Sequence, residues 1–165
     1  MKILIMGLPG SGKTYLAEAL AKNLKCVHFN ADDIRKNINK DLGFSSSDRV
    51  EQARRMGHLC DIAAKWGANV IADFVCPTEE TRALFNAQFT IWVDRIEAGR
   101  FEDTNKLFVP PSKFDIRITS KWDNVFPEYH AQELARRLAN REKPLQYELH
   151  YDWAFAKKIN QNIGF

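Results

Sequence analysis

Lys2-Ile3-Leu4-Ile5-Met6-Gly7-Leu8-Pro9-Gly10-Ser11-Gly12-Lys13-Thr14 is the stretch on which the reading of this chain turns. Lys2 to Met6 is a short apolar run, the length of a buried strand. Lys13 to Leu24 follows with Leu16, Ala17, Leu20, Ala21 and Leu24 on one helical face. Between them, Gly7 to Thr14 fits G-x-x-x-x-G-K-[ST]. Glycines let the backbone curl so that successive N–H groups point at phosphate oxygens. The helix N-terminus beyond adds partial positive charge. Lys13 can reach the β- and γ-phosphates, and the Thr14 hydroxyl can bind Mg²⁺. Gly7, Leu8, Pro9, Gly10, Ser11, Gly12, Lys13 and Thr14 are therefore the expected ATP-binding residues, with Lys13 also catalytic, ATP as co-substrate and Mg²⁺ as cofactor.

Working outward, short apolar runs alternate with helical patterns, the signature of βαβ units. Strands are expected at Val27–Asn30, Asn69–Val75, Phe89–Val93 and Asp115–Thr119. A long helix is expected over Asp48–Trp66, with Val50, Ala53, Gly57, Cys60 and Ala64 inward, Ser45 to Ser47 offering N-cap oxygens and Gly67 as the stop. Pro77 marks another helix start, and Pro127–Asn140 a further helix with Tyr129, Leu134 and Leu138 near one face. This predicts a three-layer α/β domain over residues 1–165, with a parallel sheet of about five strands and helices on both faces. Two stretches depart from the pattern. Arg95–Lys113 is polar, holds Gly99, Pro110 and Pro111, and is expected to be a mobile flap. Arg141–Phe165 carries Tyr147, Tyr151, Trp153, Phe155 and Phe165, and is expected to pack on the body or on a second copy in a homodimer.

Composition narrows the function. The 165 residues are 45% hydrophobic and 27% charged, which suits a globular domain. Net charge is only +3 and the basic residues are interleaved with acids, so a nucleic-acid partner is not expected. No apolar run approaches the ~20 residues of a membrane helix. Three cysteines, Cys26, Cys60 and Cys76, have no metal-ligand spacing and suit a reducing compartment, so the expectation is cytoplasmic. A phosphate loop alone leaves a kinase, a GTP-driven switch and a motor fragment open. The chain has no guanine-reading N-K-x-D, which favours a kinase.

The acceptor side is read from Phe29-Asn30-Ala31-Asp32-Asp33-Ile34-Arg35. A carboxylate at this strand end can take the acceptor's proton or organise Mg²⁺; Asp32 and Asp33 can equally be first-turn helix residues favoured by the dipole. Arg35, Arg49, Arg54 and Arg55 concentrate guanidinium groups nearby, suited to an acceptor with its own phosphate or sulfate. For Arg54 and Arg55 the alternative is a solvated helix face with pairs such as Glu51–Arg55.

These residues carry a resemblance. Asn39-Lys40-Asp41-Leu42-Gly43-Phe44-Ser45, then Asp48-Arg49-Val50-Glu51-Gln52-Ala53-Arg54-Arg55, then Phe74-Val75-Cys76-Pro77 resemble in order the N-x-x-L-G-F-S, D-R-x-E-N-x-R-R and F-I-S-P segments of adenylylsulfate (APS) kinases. The resemblance spans about the first half of the chain. It implies ATP- and Mg²⁺-dependent phosphorylation of the 3′-hydroxyl of adenosine 5′-phosphosulfate. It implies Asp32 near the reacting hydroxyl, Arg35 and Arg49 on the phosphosulfate, and Phe74 stacked on the acceptor's adenine. Phe44, Gln52 and Cys76 complete the implied acceptor-binding set. Asn30 stands where the family has its first carboxylate, Gln52 where it has Asn, and Cys76 where it has a serine sometimes assigned a phosphorylated intermediate. That covalent role is not carried over. The segment 95–113 is shorter than the family's lid and lacks its K-G-L-Y-like segment; Arg95 or Arg100 could bring positive charge to the transferring phosphoryl group.

A second resemblance draws on other residues. The phosphate loop with Val70-Ile71-Ala72-Asp73 and Thr81-Arg82 looks like small kinases of nucleoside, nucleotide or polynucleotide 5′-hydroxyls, in which Asp73 would hold Mg²⁺ through water. Asp73 can instead cap the next helix. A third reading is a nucleotide-binding regulator without turnover. His28, His58, His130 and His150 share no spacing and are read as structural or exposed, and Trp66, Trp92, Trp122 and Trp153 as core or interface residues.

Overall fold

In the computed structural model, residues 1–119, 126–139 and 147–149 are described. Strand β1 (Lys2–Met6) lies at the centre because every one of its residues is buried, with Ile3 and Ile5 facing one side and Leu4 and Met6 the other. It pairs in parallel with β3 (Val70–Phe74) and β4 (Phe89–Val93). Outward of these lie β2 (Val27–Asn30), β5 (Ile116–Ile118) and β6 (Tyr147–Leu149), giving a parallel sheet ordered β2-β3-β1-β4-β5-β6. Both faces are covered, as near-continuous apolar strands require. Helices α1 (Lys13–Leu24) and α6 (Phe126–Ala139) close one face through Leu16, Leu20, Ala131 and Leu134. On the other face α2 (Ala31–Asn37), α3 (Ser46–Lys65) and α4 (Glu79–Phe85) contribute Ile34, Met56, Cys60 and Phe85. The three-layer α/β fold is the expected one, with one strand more than anticipated.

Local chemistry explains the helix starts. Ser45 accepts from the Asp48 N–H at 3.1 Å and opens α3; Asn30 accepts from the Asp33 N–H at 2.9 Å and opens α2. Thr78 and Thr81 form a reciprocal capping pair for α4, one residue beyond Pro77. The inward face of α3 is Gln52, Ala53, Met56, Gly57 and Cys60, whereas Val50 and Ala64 are half-buried. A Cβ on Gly57 would sit 3.0 Å from the Leu84 carbonyl oxygen and 3.2 Å from the Phe85 Cα, so only glycine lets α3 and α4 approach this closely. Gly57→Val is therefore expected to cost about 1–3 kcal/mol through overpacking, read as a lowered denaturant midpoint. A midpoint unchanged from wild type would mean the two helices can separate without penalty.

Among the tryptophans, Trp92 is buried and packs edge-on against Phe114, but Trp66 is 83% exposed at the end of α3 and does not join the core. The polar stretch 95–113, expected as a flap, carries a short helix α5 (Glu102–Leu107). Asn105 holds it to the Gly99 backbone by two reciprocal hydrogen bonds of 2.8 and 3.0 Å. At its far end the Val109 N–H donates to the Pro77 carbonyl at 2.8 Å, and Arg82 donates to the carbonyls of both Pro77 and Val109. Of the aromatic extension only 147–149 falls within the described residues, where it adds β6; Tyr151, Trp153, Phe155, Phe165 and Trp122 lie outside them.

Candidate active site

The phosphate loop leaves the C-terminal end of β1, where ligands of open parallel sheets bind. Gly7, at φ 147°, lies so close to β4 that a Cβ would meet the Val93 carbonyl oxygen at 2.3 Å. Gly10 and Gly12 also take positive φ, and α1 starts at Lys13 with no side-chain cap, leaving its first N–H groups to face the loop. Lys13 is 8% exposed, and its Nζ donates to the Leu8 carbonyl at 2.9 Å. Burial pulls its amine down to about 8, against the attraction of Asp73 and Asp32. A phosphate placed in the loop would favour the charged form again.

Behind the loop sits a buried carboxylate. Asp73, at 2% exposure on β3, pairs in register with Asn30 on β2. Its Oδ2 accepts from the Thr14 hydroxyl at 2.7 Å, and the Asn30 amide reaches both its oxygens at 3.1 and 3.2 Å. Its Oδ1 lies 2.7 Å from His28 Nε2, which requires the ring proton on Nε2 while Asp73 is ionised. The Thr14 hydroxyl spends its proton on Asp73 and accepts from the Asn30 amide at 3.3 Å, which leaves its oxygen one lone pair for a ligand. These hard oxygen donors fit Mg²⁺, which keeps several waters and takes one or two protein oxygens beside nucleotide phosphates. Among the described residues no cluster of three or more His, Cys, Asp or Glu offers an all-protein cage instead. Asp73 is thus not the cap of the next helix, a role Thr78 fills.

A cavity of about 640 Å³ runs from Gly10, Gly12, Lys13 and Thr14 past Asp73 to the turn after β3. All seven residues expected on the acceptor side, Asp32, Arg35, Phe44, Arg49, Gln52, Phe74 and Cys76, line it. Asp32, in the first turn of α2, has an 88% exposed side chain 3.8 Å from the Arg35 guanidinium. Arg35 and Arg49 both lie against the Phe44 ring, 4.6 and 5.6 Å from its centroid. Burial lowers the Arg35 pKa, with Asp32 opposing and Arg49 adding to the shift. Arg35 Nε is buried with no hydrogen-bond partner among the described residues. Arg49 is engaged, donating to the Phe44 carbonyl and to Asp103 and Thr104 of α5.

Phe74 is half-buried, edge-on to Phe85 at 5.4 Å, and lines the cavity. Gln52 spends its amide on structure, donating to the Ala31 carbonyl and accepting from Asn39. Cys76 is fully buried in the left-handed region at φ 47°, and burial pushes its thiol up to about 12, so it is no nucleophile at neutral pH. Arg54 and Arg55 do not line the cavity: both bind Glu51, whose carboxyl they hold down to about 2, and Arg55 also grips Asp41. Asp33 likewise faces α2, accepting from Asn37. Arg95 donates to the Ser11 carbonyl at 2.8 Å and braces the loop from behind, whereas Arg100 lines the cavity over Gly10.

Tyr15, Phe101, Asp103 and Thr104 line the cavity without having been expected there, and His28, expected to be structural or exposed, contacts Asp73. Asp103 and Thr104 belong to α5 and Phe101 precedes it as the N-cap, so their positions depend on the tertiary contacts of that helix. Asn30 was noted only as a departure, although an amide facing a strand-end carboxylate is a readable signal once β2 and β3 are paired.

Comparison with known proteins covers the phosphate loop and most of the cavity lining. The family model for adenylylsulphate kinase matches residues 1–97. The adenylyl-sulfate kinase of Bacillus pumilus (strain SAFR-032) is 35% identical over 126 residues, 73% of this chain and 57% of that protein. A probable adenylyl-sulfate kinase of Bacillus subtilis (strain 168) is 35% identical over 124 residues, 72% and 56% of the two. The chain thus spans somewhat over half the length of these curated relatives. Among solved structures, the Mycobacterium tuberculosis APS kinase CysC in complex with AMPPNP and APS superposes with a TM-score of 0.72 at 24% identity, over 84% of this chain and 96% of that one. Shikimate kinase from Aquifex aeolicus also superposes, with a TM-score of 0.58 at 19% identity over 86% and 98%, so the fold is shared beyond one acceptor. Sequence similarity is the narrower result: matched over residues 1–97, more than half its length, the chain belongs to the adenylylsulphate kinase family.

Proposed function

We propose that the chain is a single P-loop kinase domain that transfers the γ-phosphoryl group of ATP to the 3′-hydroxyl of adenosine 5′-phosphosulfate. The observation that carries this reading is the shared cavity: a phosphate loop at one end and two guanidinium groups beside aromatic rings at the other. A nucleotide with an anionic tail uses both halves of the acceptor end, whereas an uncharged nucleoside leaves the dehydrated Arg35 with no anion at hydrogen-bond distance. In this reading the loop and Lys13 hold the ATP phosphates, and Asp32 accepts the proton of the attacking hydroxyl. Arg35 and Arg49 hold the phosphosulfate, and the Phe74 ring takes the acceptor's base. Thr14 and, through water, Asp73 would hold Mg²⁺, which neutralises charge on the β- and γ-oxygens. In this reading Arg100, which lines the cavity over Gly10, meets the transferring group, and Arg95, which donates to the Ser11 carbonyl, steadies the loop.

A second reading, a kinase of nucleoside or polynucleotide 5′-hydroxyls, draws on Asp73 at the strand end. ADP release with APS, adenosine and a 5′-hydroxyl oligonucleotide separates the two. The APS reading expects the highest kcat/KM with APS; activity confined to 5′-hydroxyl ends would overturn it. Without ADP release on any acceptor, the chain would be a nucleotide-binding regulator. Phe74→Ala is expected to weaken APS by about 1–3 kcal/mol, the worth of one base–aromatic stack, with the KM for ATP unchanged. Equal loss for both substrates would show that Phe74 acts only through its packing on Phe85. No helix among the described residues is long and apolar enough to cross a membrane.

A further inference from the structure

We propose that Asp103 of α5 is a specificity-determining residue, holding the Arg49 guanidinium until an anionic acceptor displaces it. The inference rests on reading the cavity as the acceptor site. Arg49 Nη2 donates to Asp103 Oδ2 at 3.2 Å and to Thr104 Oγ1 at 2.9 Å, and its Nε donates to the Phe44 carbonyl at 2.9 Å. The two partners of this ion pair differ in burial. The Arg49 side chain is 10% exposed and has little water to fall back on; Asp103 is 68% exposed and can return to solvent at small cost. Both line the cavity, together with Arg35.

Arg35 has no such occupant. Its nearest carboxylate oxygen is 3.8 Å away, and its Nε is buried without a hydrogen-bond partner among the described residues. The anion-binding end therefore contains one guanidinium with only a long contact to an exposed carboxylate and one held by its carboxylate at hydrogen-bond distance. An entering oxyanion meets Arg35 directly but must compete with the Asp103 carboxylate at Arg49, since two negative groups on one nitrogen repel. Thr104, which is buried, and the Phe44 carbonyl keep the guanidinium aimed when Asp103 leaves. Asp103 thus lowers the affinity for anionic acceptors specifically and does not touch a neutral one.

The test is Asp103→Asn, with Glu102→Gln as control. Glu102 lies in the same first turn but pairs with Lys106 at 2.7 Å, away from Arg49. With the phosphate loop filled by a non-hydrolysable ATP analogue, binding of APS, inorganic sulfate and adenosine is titrated calorimetrically. KM values for APS and ATP are measured in parallel. Asp103→Asn is expected to bind APS and sulfate about two- to fivefold more tightly, the effect of one half-exposed ion pair. Adenosine binding, the KM for ATP and the control should not move. Unchanged or weaker sulfate binding in Asp103→Asn would overturn the proposal and make Asp103 a support for Arg49. Failure of the acceptor reading looks different: wild type would neither bind nor turn over APS, while sulfate would still tighten in the variant.

Discussion

Lys13→Ala is expected to lower kcat by about 10²–10³-fold, the usual loss when one preorganised charge partner of a transition state is removed. Among the described residues Lys13 forms no ion pair; its Nζ donates to the Leu8 carbonyl, and both residues' loop borders the cavity. Burial has stripped much of its water and pulled its amine down to about 8. That is a poor arrangement for stability and a good one for receiving negative charge, because a desolvated ammonium interacts strongly with phosphate oxygens. The structural cost of removal is small, one carbonyl left to find another partner, about 1 kcal/mol. Steady-state ADP release and thermal melting without nucleotide check both halves. Turnover near wild type would remove Lys13 from the mechanism, and a collapsed melting temperature would make its role structural.

Asp32→Asn is the second large effect. General-base catalysis is worth typically 10²–10⁴-fold, and a loss of that size in kcat is expected with little change in the KM for ATP. Asp32 sits at the start of α2, where a carboxylate also favours the helix dipole by about 0.3–1 kcal/mol. The dipole is served without it: Asn30 caps the helix and Asp33 lies in the same turn. What distinguishes Asp32 is direction, since it opens on the cavity beside Arg35 while Asp33 binds back to Asn37. A drop in kcat smaller than about threefold would assign Asp32 to the helix alone.

Much of this architecture was legible in the residues. The change from a continuous apolar run to a helical period across Gly7–Thr14 marks β1, the phosphate loop and α1 with their observed ends. Val27–Asn30 and Phe89–Val93 keep their expected bounds in the fold, the first ending on Asn30 and the second just before Asp94, both turn-forming residue types. The rest depended on contacts distant in the chain. β6 is three residues within an aromatic segment and exists through pairing with β5. α5 follows a glycine in a polar stretch and is held by Asn105, Thr104 and Arg49, so local propensity does not announce it. At the site, the arginines and Asp32 were readable from motif order. The His28–Asp73 contact was not, because 45 residues separate the two and only the β2–β3 register brings them together. Asp73 itself was visible as a strand-end carboxylate, but its bond to Thr14 shows in the fold alone.

Transfer of labelled γ-phosphate from ATP to APS, with the product's phosphorylated position identified by ³¹P NMR, tests the central claim most directly. The account predicts that label enters APS at the 3′-hydroxyl, with a kcat/KM above that for adenosine or a 5′-hydroxyl oligonucleotide. Label entering only a 5′-hydroxyl, with APS inert, would contradict it.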